Sequence, residues 1–307
     1  MIDTPDTPRM MVGIEISEDS LHVVRLDDQG SLLEASHDAT HAGEGSPRQL
    51  IELVGELKER VGGLASVGIA VPGLVSQDKM RVAYSARLPE HAAIDIKDEI
   101  MKATGVTVLI ENDANAAAYG EFKKGSGRGS SHLFYVTLGK GVGGALIIDG
   151  MIWRGAAGFA GEFGYLTINS EGLRLEDVAS EENIVRRTRS RFNRDSTSSL
   201  NRFEEQQINL EQIVAAAENG DDFAQLMLER TGNYIGTGVA SVINLLNIET
   251  IVVGGEIMDK GHLVLDSIVK RARELSFRPS FAKTTIVGGQ LGQNSAAIGA
   301  ALLANGI

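Results

Sequence analysis

The sequence predicts a two-domain α/β protein, and three observations carry that prediction. The 307 residues exceed what one small core holds and fit two domains of about 150 residues. Short apolar runs rich in β-branched residues alternate with helical faces along the chain. A strand, turn, strand order occurs at the start and again, around a glycine loop, just before the middle, as a duplicated α/β unit would produce.

Met11 to Leu26 reads as a strand, a tight turn near Glu18-Asp19, and a second strand from Leu21. Asp27-Asp28-Gln29-Gly30 turns into a third strand, Ser31 to Ala35. From Pro47 to Arg60, apolar residues at Leu50, Ile51, Leu53, Val54 and Leu57 mark one face of a helix. Ala65 to Val71 is a short buried strand stopped by Pro72-Gly73. The next strand, Val106 to Ile110, feeds a polar corner, Glu111-Asn112-Asp113, and a small-residue helix leaves that corner and ends near Phe122. Lys123 to Ser131 is rich in glycine and serine without an apolar anchor, the composition of a domain boundary or hinge.

Beyond it, Leu133 to Leu138 is a strand, Gly139 to Gly144 a glycine loop, and Ala145 to Gly150 another strand and turn. Between Leu175 and Gln207 the chain is highly charged, with Arg186, Arg187, Arg189, Arg191, Arg194 and Arg202 close together. A solvated helical face is the leading reading there; an anion or subunit contact is the other. Asn209 with Gln212 opens an alanine-rich helix through a reciprocal cap, and Asp221 or Asp222 starts another that runs to Leu246. Gly232, Gly236 and Gly238 weaken that helix but permit close backbone packing. Ile248 to Val253 is a strand ending in Gly254-Gly255, and Thr284 to Val287 is the last strand. A small-residue helix, Asn294 to Ala304, closes the chain and is expected to return to the first domain.

Composition narrows the function. With 43% hydrophobic residues, 36 glycines and 6 prolines, this is ordinary α/β composition. No run reaches the roughly 18 apolar residues of a spanning helix, and Met1-Ile2-Asp3-Thr4-Pro5-Asp6 lacks the regions of a signal peptide, so a cytoplasmic protein without membrane partners is expected. Cysteine is absent, which excludes disulfides, thiolate catalysis and cysteine-ligated metals. A net charge of −12 argues against a general nucleic-acid binder and against long-range attraction of a nucleotide. Any polyphosphate site must then be built locally from backbone N–H groups and a few cations.

Asp113 can act as a general base if it meets a hydroxyl while ionised, and its place at a helix start favours the charged form. Asn112 beside it can orient the same group. As isolated residues, both read first as helix caps. Glu162, in the glycine-rich run Gly158 to Tyr165, and Glu176 are further acceptors suited to the donor-rich hydroxyls of a polyol. The Gly139 to Gly144 loop reads equally as a phosphate cradle, with Lys140 as a compensating charge, and as a tight turn. It is not a nucleotide P-loop, since no Lys-Ser or Lys-Thr pair follows a four-residue spacer. His22, His37, His41, His91, His132 and His262 show no ligand spacing and read as surface or structural groups.

Taken together and in order, Val71-Pro72-Gly73, Glu111-Asn112-Asp113-Ala114-Asn115-Ala116, Thr137-Leu138-Gly139 with Gly141-Val142-Gly143-Gly144, Gly161-Glu162-Phe163-Gly164 and Ile251-Val252-Val253-Gly254-Gly255 resemble the ROK family of bacterial sugar kinases and sugar-responsive repressors. The resemblance runs from about Met11 to Ala304. It implies the actin-like ATPase (ribonuclease H-like) fold, with an N-terminal α/β domain of residues 10–122 plus 292–307, a larger C-terminal α/β domain of residues 123–291, and an interdomain cleft. It implies transfer of the γ-phosphoryl of ATP, with Mg2+, to a hexose or amino-sugar hydroxyl, and a homodimer. Asp113 matches the family's catalytic base and Asn112 its sugar-binding neighbour. Glu162 and Glu176 match sugar-contacting carboxylates, Gly139, Gly141 and Gly143 a phosphate loop, and Gly254 and Gly255 the turn that approaches the adenosine.

Four departures shape the expectation. The family's opening Asp-x-Gly-Gly-Thr reads Glu15-Ile16-Ser17-Glu18-Asp19, which places carboxylates where backbone donors should face polyphosphate. A like-charge pair about 4 Å apart costs roughly 4 kcal/mol at an effective dielectric near 20, so ATP binding is expected to be poor. Tyr165 replaces a zinc-ligating histidine and the cysteine-rich zinc loop is missing, which together imply a variant without structural zinc. Tyr165 is then free to pack on the ligand or donate its hydroxyl. Arg87-Leu88-Pro89 replaces Asn-Leu-Pro near the sugar, pointing to an anionic sugar or an altered hydroxyl pattern. Lys140 stands where the family has threonine and could offset Glu18 and Asp19. Family repressors carry a DNA-binding domain before the core, whereas about ten residues precede the first strand here, so direct DNA control is not expected. Retention of Asn112-Asp113 and Glu162 puts a sugar kinase with a degenerate phosphate loop first. A noncatalytic sugar sensor is the alternative, and a partner-binding subunit is a third reading.

Overall fold

The computed structural model describes residues 10–41, 43, 45–62, 64–76, 81–259 and 263–306; His262 and the Met1–Asp6 start lie outside them. The chain forms two compact units, one of Met1–Arg128, Ile152–Ala160 and Asn294–Ile307, the other of Gly129–Met151 and Gly161–Gln293.

In the first unit, β1 (Met11–Ile16), β2 (Ser20–Leu26), β3 (Leu32–Ala39), β4 (Ser66–Val71), β5 (Leu74–Val75), β6 (Val82–Tyr84) and β7 (Thr107–Asn112) follow one another along the chain. Five of them build a sheet in the order β3-β2-β1-β4-β7, while β5 and β6 make a separate two-stranded ribbon. β1, β4 and β7 run parallel, and β2 and β3 add antiparallel on one side. Almost every residue of β1 and β4 is buried, the pattern of central strands covered on both faces. β3 is exposed at all eight positions, as an edge strand can be. The Gly45–Val61 helix turns Leu50, Val54 and Leu57 into the core at helical spacing.

The C-terminal helix Ser295–Ala304 is apolar on all sides because it is covered on all sides. A Cβ at Gly13 or Gly68 would overlap the carbonyls of Ala297 or Ala300, and one at Gly299 would overlap the carbonyl of Ala116. Only bare glycine backbone lets this helix lie directly on β1 and β4 and against the Asp113–Lys124 helix. Its expected return to the first sheet is therefore built into three glycines.

The second unit holds β8 (Leu133–Leu138), β9 (Val142–Ile148), β11 (Thr250–Gly254) and β12 (Thr285–Gly288), in a sheet of order β10-β9-β8-β11-β12 where β10 is Met151–Ile152. β8, β11 and β12 are parallel, and β9 pairs antiparallel with β8. Asn209 and Gln212 form the reciprocal cap read from the sequence, and Asp221 caps the long Asp222–Leu246 helix through the Ala224 N–H. Gly232 and Gly236 bring that helix against the Leu263–Leu275 helix, where a Cβ would press on the Val264 and Ile268 carbonyls at 2.5 and 2.7 Å.

Three expectations change. Gly143 and Gly144 are not loop residues; they lie inside β9 opposite Thr137 and Val136, because the hairpin closes earlier, with Gly139 N–H on the Gly141 carbonyl at 3.0 Å. The start of the glycine-serine stretch is pinned rather than loose. Glu121, buried at 1% exposure, accepts the Ser126 N–H at 2.8 Å, and its carbonyl accepts the Gly127 N–H at 2.9 Å. In the arginine-rich region the solvated reading holds for Arg186, Arg194 and Arg202 but fails for Arg187, which is buried.

Candidate functional site

Sheet register sets the corner around Asp113. Val71 pairs with Asn112, so the Pro72-Gly73 turn that ends β4 lies beside the end of β7. Asn112 caps the Asp113–Lys124 helix through Oδ1, which accepts the Asn115 N–H at 3.0 Å. Its Nδ2 donates to the Gly73 carbonyl and to Asp113 Oδ1, each at 2.9 Å. Asp113 Oδ1 also accepts the Ala114 N–H at 2.9 Å. Asn112 is thus the cap, as its isolated reading favoured, while Asp113 is the first residue of the helix, and these bonds fix its carboxylate plane by Oδ1.

Burial pushes the Asp113 carboxyl up from 3.8 to about 6, against the lowering effect of the Ala114 N–H, of Arg87 and of the Asn112 amide. Side-chain exposure of Asp113 is intermediate, so desolvation is strong without sealing the group from a solute. Arg87 is held by the corner where Ser85 Oγ accepts the Leu88 N–H at 3.0 Å and donates to the Pro72 carbonyl at 2.5 Å. Its Nη1 lies 3.5 Å from Glu18 Oε2 at the tip of the β1–β2 turn. Within this unit the structure therefore gathers Asn112, Asp113 and Arg87.

Beneath the corner lies a network that the motif reading passed over. Glu111 is 1% exposed; its Oε1 accepts the Asn112 N–H and the Asn115 amide, each at 3.0 Å, and its Oε2 pairs with Arg154. A carboxylate in a buried parallel strand requires such partners, so Glu111 after Ile110 was itself the signal. Arg154 gave none, being 43 residues away.

In the second unit, Glu176 opens a short helix, Glu176–Ala179, and its Oε2 accepts the Val142 N–H at 3.1 Å at the end of the glycine hairpin. Gly164 makes room there, since a Cβ would overlap the Val142 carbonyl and stand 3.4 Å from Glu176 Cβ. Glu162 is exposed, yet partial burial first, and then the Glu176 charge, hold its carboxyl above the ordinary carboxylate range. Tyr165 is exposed with the Arg174 guanidinium 4.7 Å above its ring, and Arg174 pairs with Asp177 at 3.1 Å.

Gly254 pairs with Thr137 in register, so the β11 end lies beside the start of the hairpin. Gly255 has φ +92°, and a Cβ on it would press on Leu138 N and O at 2.6 and 2.5 Å. The hairpin is braced from the other side by the Glu181 N–H on the Gly139 carbonyl at 2.8 Å. Gly139, Lys140, Gly141, Gly254 and Gly255 therefore share the carboxyl ends of two parallel strands, where open α/β sheets bind ligands. Glu162 and Glu176 adjoin the same hairpin. Among the described residues no three His, Asp or Glu side chains converge as a metal-binding group, and no helix is long and apolar enough to cross a membrane.

The sequence profile described as the ROK family matches residues 11–307. A glucokinase of Streptomyces coelicolor is 29% identical, with 96% of this chain and 97% of that protein covered. A xylose repressor of Bacillus subtilis is 26% identical over 94% of this chain and 75% of its own length. The crystal structure of a ROK family glucokinase from Streptomyces griseus, in complex with glucose and AMPPNP, superposes with a TM-score of 0.84 at 28% identity, covering 97% of this chain and 100% of that one. The fold is the actin-like ATPase fold of the ROK sugar kinases, as the motifs implied.

Proposed function

This chain belongs to the ROK family, and from that premise we propose that it is a glucokinase-like sugar kinase that phosphorylates a hexose or amino-sugar hydroxyl at the expense of ATP. The observation that carries the proposal is the Asp113 carboxyl, fixed by Asn112 through one oxygen and raised to about 6. A base of that strength is mostly ionised at neutral pH and still holds a proton readily as the hydroxyl begins to attack. The sugar oxygen forms a bond to the γ-phosphorus, the bond from that phosphorus to the bridging oxygen of ADP breaks, and the hydroxyl proton passes to Asp113. Glu162 and Glu176 accept other sugar hydroxyls, the raised Glu162 being suited to a neutral polyol.

The nucleotide part of the proposal rests on the hairpin and on Gly254-Gly255, whose bare backbone fits close approach of phosphate and adenosine. Gly139 and Val142 N–H groups already have protein acceptors, so neither is proposed to donate to phosphate. Bound Mg2+ would supply charge neutralisation on the phosphates. Arg87, committed to Glu18 and Asp113, is proposed to tune the base rather than to select an anionic sugar.

A second reading, a sugar sensor without turnover, is favoured by the exposed Glu18 and Asp19 at the turn where family kinases present glycines and a threonine. Calorimetric titration with glucose, N-acetylated hexosamines and Mg-ATP, followed by a phosphoryl-transfer assay, separates the two. Transfer that vanishes in Asp113→Asn while sugar affinity persists supports the kinase. Sugar binding with no nucleotide binding and no transfer leaves the sensor.

A further inference from the structure

One arginine of the charged stretch is in the wrong place for a solvated face. Arg187, on the Glu181–Arg189 helix, is 8% exposed. Its Nη2 donates to Thr231 Oγ1 at 2.7 Å, its Cζ lies 5.5 Å from the Tyr234 ring centroid, and its Nε has no partner. Each of those neighbours, on the Asp222–Leu246 helix, is neutral. Arg191 sits just past the first helix with Nη1 3.2 Å from the Arg187 carbonyl, and Arg230 precedes Thr231 on the second.

A buried guanidinium is normally matched by a carboxylate, because desolvating a cation without a counter-charge is costly. Among the described residues, Arg187, Arg191 and Arg230 have no carboxylate within ion-pair distance. Burial lowers the Arg187 guanidinium to about 10; Tyr234 works the other way, while Arg191, Arg230 and Arg186 lower it further. On a chain with net charge −12, this is a local concentration of cations that the fold does not neutralise.

We propose that Arg187, Arg191 and Arg230 form a binding site for a phosphoryl oxyanion, carried either by inorganic phosphate or by a sugar phosphate. Guanidinium forks match phosphoryl oxygens bidentately, and a dianion supplies the charge that the cluster lacks. The inference stands apart from the kinase reading, since none of these residues belongs to the Asp113 corner or the glycine hairpin.

The test is calorimetry and thermal melting of the full chain at low ionic strength, titrated with inorganic phosphate and with glucose 6-phosphate, against sodium chloride at matched ionic strength. Saturable binding beyond the chloride effect is expected. It should weaken about tenfold or more in the Arg191→Ala/Arg230→Ala double variant, the loss of charge-assisted hydrogen bonds. Arg230 is exposed and Arg191 is partly exposed just past its helix, so that variant should fold; Arg187→Met should remove the response. A response to one ligand alone identifies the source of the phosphoryl group. A response equal to chloride overturns the site, as does one unchanged in the variants, which would place the anion elsewhere. So does a phosphate-independent change in sedimentation mass without any phosphate response, which would make the cluster a protein contact.

Discussion

Replacing Asp113 by asparagine, which keeps the shape of the protonated carboxyl, should stabilise the protein at neutral pH while removing turnover. The carboxyl rises from 3.8 to about 6 on folding. At about 1.4 kcal/mol per unit, those roughly 2 units make ionised Asp113 cost the native state about 3 kcal/mol. A raised folded value means that the native state holds a proton that the unfolded chain has lost. The stabilising effect of that proton is complete below 3.8 and is gone once pH has risen through about 6. Asparagine carries no such penalty. The variant should therefore be about 3 kcal/mol more stable than the parent near pH 7.5, the gain shrinking to roughly 1 kcal/mol near pH 4.5. Urea unfolding of both proteins at the two pH values reads this directly as a difference, in which other titrating groups cancel. A variant less stable at neutral pH, or a gain that does not shrink in acid, would refute the burial argument and with it the tuned base.

His91 gives the opposite slope. Burial lowers its ring from 6.5 to about 4 in the native state, where Ser46 Oγ lies 2.7 Å from Nε2, so stability is present above 6.5 and is lost as pH falls through about 4. The loss should reach about 3 kcal/mol in acid, and His91→Gln should flatten that limb of the urea stability profile. Arg154→Met should destabilise by about 3–5 kcal/mol by leaving Glu111 charged and buried, with much of the loss recovered in Arg154→Met/Glu111→Gln. Denaturant midpoints of the three proteins check this. Gly299→Ala should cost more than about 1 kcal/mol despite alanine's better helix propensity, because its Cβ meets the Ala116 carbonyl, and a thermal melt with unchanged or higher Tm would refute the close packing. If Asp113 is the base, kcat/KM should fall as pH drops below about 6, and Arg87→Met should move that limb upward, since Arg87 holds the carboxyl down.

The strands of the two five-stranded sheets apart from β10, the Gly45–Val61, Asp113–Lys124, Asp222–Leu246 and Ser295–Ala304 helices, the Asn209 and Asp221 caps and the Asn112-Asp113 corner were legible in the sequence, whereas β5, β6, β10 and the Leu263–Leu275 helix were not read from it. Each legible feature is set within a turn or two of chain by apolar period, by a side chain reaching a nearby N–H, or by a strand that must end before a helix begins. The glycines of the Asp222–Leu246 helix were legible as packing sites too, since nothing else justifies them in a helix. What the local pattern misread was Gly143 and Gly144, where glycine content suggests a loop and strand pairing with Val136 and Thr137 wins.

Tertiary structure alone decided which polar groups face one another. Glu111 and Arg154 are 43 residues apart, Ser46 and His91 45, Arg187 and Thr231 44. No periodicity spans such distances, and a lone Arg187 in a run of arginines looks the same whether buried or solvated. The sequence determined that a carboxylate stands at the end of β7 because the local chain puts it there. Its strength as a base was decided by burial and by Arg87, brought to it from 26 positions away by the fold, because desolvation and Coulomb interaction depend on distance in space and not along the chain.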